Sequence, residues 1–125
     1  MQLIGFALGG RLIDDLSTQG GNTIDHLPFP VPDQPAHAID LCEGSWLRQI
    51  TGSATARVNS FHRQAIDGSG RYRVAAVAAD GTVEAIDGMD ENFVAGVQLH
   101  PEYGLTPLDV AVFSHFVSAT RQNPI

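Results

Sequence analysis

The spacing of apolar and polar positions divides the chain into short elements. Leu3, Ile4, Ala7 and Leu8 share one face at helical spacing, which predicts a helix over residues 1–8 ended by Gly9 and Gly10. No Ser, Thr, Asp or Asn precedes it as an N-cap. Residues 11–16 predict a short amphipathic turn or helix, and residues 17–22 a loop. Pro28, Pro30, Pro32 and Pro35 then make a stiff, extended connection. Residues 37–41 alternate and predict a strand; Ser45 is placed to cap a short helix over 46–50. A further strand is predicted over 56–61, running into His62. Residues 72–79 and 83–86 flank Asp80-Gly81-Thr82, a hairpin signal. The apolar run 93–97 predicts a short buried strand that must end at Pro101, because proline donates no backbone hydrogen bond. Pro107 suits the first position of a last helix ending near Thr120, with Val110, Phe113, Phe116 and Val117 as its buried stripe. The order fits an α/β sheet with an antiparallel portion. The alternating β-α units that usually build a parallel sheet centre are missing from the pattern.

Composition narrows the partners. A chain of 125 residues supports one small domain, here 1–125, and 43% hydrophobic with 17% charged residues is ordinary for a globular protein. The net charge of -7, with all seven basic residues scattered arginines, argues against nucleic acid or an anionic membrane as partner. The sequence holds no apolar run long enough to span a membrane, and the first ten residues lack the basic start of a signal peptide. Cys42 alone cannot form an internal disulfide, so cytoplasm is the expected compartment.

Candidate chemistry concentrates at His100-Pro101-Glu102. With the chain extended there, both side chains point to one side. The carboxylate would then accept a bond from one ring nitrogen and leave the other free to take a proton from a nucleophile. No two histidines show the short fixed spacing of a zinc site, so neither metal nor cofactor is expected. His26 precedes the proline loop, His37 opens a strand and His115 lies on the last helix, with no chemistry assigned to them.

Four stretches resemble one family. Met1-Gln2-Leu3-Ile4 with Ala7-Leu8-Gly9-Gly10 resembles the helix after the nucleophile elbow of class I glutamine amidotransferase-like hydrolases. Val58 to Ile66, VNSFHRQAI, is similar to a signature of the gamma-glutamyl-gamma-aminobutyrate hydrolase branch. Asp80 to Ile86 resembles that branch's hairpin, and Gly96 to Glu102, GVQLHPE, its His-Glu segment. The resemblance covers essentially all 125 residues. It implies the C-terminal portion of a flavodoxin-like α/β/α domain with a Cys-His-Glu triad acting on a small gamma-glutamyl amide. His100 would be general base and acid, and Glu102 its orienter. Asn59, Ser60, Phe61 and His62 would lie beside the amino and carboxylate ends of the glutamyl group.

The resemblance also implies what the 125 residues lack. Gln2 matches the glutamine of a Cys-x-Gly-x-Gln pattern whose cysteine would stand four residues earlier, ahead of Met1. Cys42 follows a strand at a position the pattern does not use for chemistry. The expectation is a truncated gamma-glutamyl hydrolase, inactive alone, with apolar faces left open to self-association. The alternatives are a non-catalytic partner complementing an N-terminal half in trans, and the glutaminase part of an amidotransferase.

Overall fold

The computed structural model describes residues 1–21, 24–90 and 92–122. Its centre is a five-stranded sheet in the order β3-β2-β5-β6-β7, built from β2 (His37–Leu41), β3 (Thr55–Val58), β5 (Tyr72–Ala78), β6 (Val83–Gly88) and β7 (Ala95–Val97). Every pairing in it is antiparallel. A two-stranded antiparallel ladder joins β1 (Leu12–Ile13) to β4 (Ala65–Ile66). The helices are α1 (Gln2–Ala7), α2 (Trp46–Thr51) and α3 (Pro107–Gln122).

Local chemistry explains most elements. β2 alternates buried and exposed residues along its length, as its sequence does. The Ser45 side chain accepts from the Arg48 N–H and caps α2, which Gly52 ends at φ 66, a left-handed conformation that suits a residue without Cβ. The β5–β6 turn is closed by Asp80, whose Oδ1 accepts from Thr82 N at 3.0 Å. At the start of α3, the Asp109 carboxylate accepts from Leu105 N at 2.7 Å and Thr106 N at 3.3 Å.

Two apolar clusters hold the layers together. Ile39, Leu41, Leu47, Val58, Ala76 and Leu99 belong to the larger, which α2 and Leu108 of α3 cover. Ile66, Tyr72, Val83 and Ile86 form the smaller, against Met1, Ile4 and Leu8. Gly5 lets α1 lie on this second cluster, because a Cβ there would sit 2.6 Å from Ile66 Cδ1.

Three expectations are corrected. Residues 11–16 form no helix: Leu12 and Ile13 pair with Ile66 and Ala65, and a 3-10 turn follows at Leu16–Thr18. The strand expected over 56–61 stops at Val58, because the side chains of Asn59 and Ser60 bond to loop carbonyls rather than lying along a ladder. The stripe of α3 is open. Val110 is 62% exposed, Phe113 48%, Phe116 54% and Val117 45%, since no described element covers that face. A groove of ≈ 280 Å³ lined by Trp46, Phe93, Val97, Val112, Phe113 and Phe116 runs between α3 and the edge strand β7. No described helix is long and apolar enough to cross a membrane.

Candidate active site

His100 and Glu102 meet, though not on an extended chain. Residues Pro101–Tyr103 coil into a 3-10 turn that starts from His100 at φ -107, ψ 83. The turn still brings His100 Nδ1 to 2.8 Å from Glu102 Oε1. A carboxylate only accepts, so Nδ1 carries the hydrogen of this bond and neutral His100 presents Nε2 as a free base. The side chains are 35% and 57% exposed, so this base faces solvent. Partial burial alone would raise the Glu102 pKa; its own backbone N–H and His100 outweigh that and hold it below the ordinary glutamate range.

Asn59 fixes the backbone under the dyad. It is 3% exposed, its Oδ1 accepts from His100 N at 2.9 Å, and its Nδ2 donates to His100 O at 3.0 Å and Pro32 O at 2.8 Å. Ser60 is buried as well, donating from Oγ to His26 O at 2.7 Å. The polar side-chain atoms of both residues therefore serve the interior. Phe61 is exposed and lies edge-on to His100, ring centroids 6.1 Å apart. His62 lines a cleft of ≈ 400 Å³ with Gln2, Phe61, Arg63 and Gln64, while its Nε2 points inward. The Gln2 amide donates to Gln64 O at 3.1 Å and to Gln98 Oε1 at 3.2 Å, tying the start of α1 to the segment before His100.

Cys42 lies at the other end of β2 from this assembly. His37 pairs with Val58, beside Asn59, and Cys42 stands five residues further along. At a strand rise of roughly 3.3 Å per residue that is about 16 Å, beyond the reach of a proton transfer from its thiol to His100.

Sequence reasoning set His26 and His37 aside, and the structure places both in a buried hub. Glu84 Oε1, on β6, lies 3.2 Å from His26 Nδ1, 3.6 Å from His37 Nε2 and 3.7 Å from His62 Nε2. His26 Nε2 donates to Asp80 Oδ2 at 2.8 Å. Burial works against charge on His26, but Glu84 and Asp80 prevail and its pKa is raised. For Glu84 burial acts upward, yet His26, His62 and His37 bring its pKa below the ordinary value. The one local signal for this hub is Glu84 itself, a charge inside the apolar run of β6.

Comparison with known proteins points to one family. The family described as Peptidase C26 matches residues 1–102. Protein NtpR of Enterococcus hirae is 34% identical over 122 residues, covering 94% of this chain and 51% of its own length. Gamma-glutamyl-gamma-aminobutyrate hydrolase PuuD of Escherichia coli is 31% identical over 132 residues, covering 98% of this chain and 52% of its own. This chain thus spans about half the length of these curated relatives. A glutamine amidotransferase from Thermotoga maritima superimposes with a TM-score of 0.58 at 12% identity, over 99% of this chain and 46% of the other. That likeness shows a shared α/β fold with antiparallel strands.

Proposed function

The chain belongs to the Peptidase C26 family, and from that membership and the dyad's geometry we propose that it carries the His-Glu half of a cysteine-dependent gamma-glutamyl hydrolase. The observation that supports this reading best is the 2.8 Å bond between His100 Nδ1 and Glu102, which in the neutral ring makes Nε2 the lone-pair nitrogen of a half-exposed side chain.

The nucleophilic thiol would come from the part of the relatives' length that these 125 residues do not span. His100 Nε2 would take the thiol proton as sulfur attacks the gamma-carbonyl carbon, and would then return it to the departing amine. The C–N bond breaks and a thioester forms. Water, deprotonated by the same nitrogen, then attacks the thioester and releases glutamate and the thiol. Phe61 and His62, on the cleft beside the dyad, would border the glutamyl group. The single cysteine keeps the cytoplasm as the proposed compartment.

The test uses gamma-glutamyl p-nitroanilide. The 125-residue chain alone should show no turnover. Co-expression with an N-terminal half carrying a Gly-x-Cys-x-Gly elbow should produce turnover, and His100→Ala should lower it by about 10³-fold or more. Turnover by the chain alone, or turnover of the complemented protein that His100→Ala leaves unchanged, overturns the reading. Ammonia release from glutamine only with a synthase present would transfer it to an amidotransferase.

A further inference from the structure

We propose that His26, His37 and Glu84 form a binding site for a divalent transition-metal ion of the zinc class, separate from the His100–Glu102 dyad. His26 Nδ1, His37 Nε2 and Glu84 Oε1 lie within 4.8 Å of one another, in residues that are all buried. None of these three atoms, nor His62 Nε2 facing the same carboxylate, has a hydrogen-bond partner among the described residues.

The outer bonds define what faces inward. Asp80 accepts from His26 Nε2 at 2.8 Å, so in the neutral ring Nδ1 turns a lone pair toward Glu84. The Ala38 carbonyl, 3.1 Å from His37 Nδ1, can only accept, so neutral His37 turns Nε2 inward in the same way. Two imidazole lone pairs and a carboxylate oxygen therefore converge among buried residues. Acceptors so arranged repel one another unless a proton or a metal cation lies among them.

A metal ion can take the place of the proton that Glu84 and Asp80 otherwise favour on His26. A tetrahedron with bonds near 2.0–2.1 Å has ligands about 3.3–3.4 Å apart. The distances from Glu84 Oε1 to the three histidine nitrogens are 3.2, 3.6 and 3.7 Å. His62 Nε2 faces the same carboxylate oxygen from outside this three-residue group, so a fourth ligand would come from solvent. A histidine whose far nitrogen donates to a carboxylate, as His26 does to Asp80, is the usual outer shell of a zinc ligand. A cleft of ≈ 590 Å³ lined in part by Asp15, Asp25, His26 and His62 gives access from solvent. The consequence reaches the segment beside the dyad, because Ser60 Oγ and His62 N both donate to the His26 carbonyl. An ion here would fasten the 59–62 segment.

This departs from the expectation of no metal, which rested on sequence spacing; these ligands come from distant parts of the chain. The experiment strips the 125-residue chain with a chelator, then adds Zn²⁺ or Co²⁺ and measures bound metal per chain and the visible Co²⁺ spectrum. About one ion per chain, with the intense bands of four-coordinate cobalt, is expected. Glu84→Gln and His37→Asn, each checked for native circular dichroism, should weaken binding by about 100-fold or more. Either variant that fails to fold is replaced by Asp80→Asn, which should weaken binding by about 10-fold. Three results would overturn the proposal: no bound metal in the folded chain, a six-coordinate cobalt spectrum indifferent to Glu84→Gln, or binding lost in His100→Asn and kept in Glu84→Gln.

Discussion

Asn59 offers the most direct check on how the dyad is held. It makes three side-chain hydrogen bonds, two to the backbone of His100 and one to the Pro32 carbonyl, from a site 3% exposed. Each is worth about 1 kcal/mol net, so Asn59→Ala should cost about 3 kcal/mol. Against a total of roughly 6–19 kcal/mol for a domain of this length, that is large without abolishing the fold. Urea unfolding followed by the fluorescence of buried Trp46 should show the midpoint falling by about 2 M at a slope near 1.5 kcal/mol/M. Asn59→Asp should be worse at neutral pH, because its carboxylate would face the Pro32 and His100 carbonyl oxygens. Burial beside them would raise its folded pKa above the unfolded value of about 3.9. The penalty of Asn59→Asp is therefore full above the raised folded pKa and shrinks as pH falls through it, when the new O–H can donate. A loss under about 0.5 kcal/mol for Asn59→Ala, or an Asn59→Asp gap that widens on acidification, would refute this account.

Two further predictions concern the surface. Glu102 should titrate below the ordinary glutamate value in a carboxyl-detected NMR experiment, and His100→Ala should move it upward. With a depressed folded pKa, the stability this pair adds is present above the unfolded pKa and lost as pH falls through the folded one. The open stripe on α3 should drive self-association, so light scattering should report species larger than one chain, and Phe113→Ser with Phe116→Ser should shift the population toward monomer. An unchanged mass distribution would mean that the groove beside β7 is not the contact.

The legible parts of this fold are those decided locally. The alternation of β2, the Ser45 cap and the Asp80-Gly81 turn depend on neighbours in sequence, and the structure has them where the pattern puts them. The α3 stripe shows the limit. Periodicity identifies Val110, Phe113, Phe116 and Val117 as one face but not whether anything covers it. The strand ending at Val58 shows another, since the pull on Asn59 comes from Pro32 and His100, which local propensity cannot register. The His100–Glu102 bond was readable because its partners are two residues apart, even though the backbone between them turns. The hub of His26, His37 and Glu84 was not, because strand pairing across the sheet places His37 and Glu84, and long-range bonds to Asp80, Ser60 and His62 place His26 beside them.

The two histidine groups are mechanically connected. Asn59 clamps the backbone of His100 from one end of the 59–62 segment. Ser60 and His62 fix the rest of that segment to the carbonyl of His26, whose ring donates to Asp80 and faces Glu84. The backbone of His100 is thus joined, through the 59–62 segment, to a buried hub that touches neither His100 nor Glu102 in any described contact. The His100 and Glu102 side chains thus stay exposed while buried Asn59 holds the His100 backbone through two hydrogen bonds.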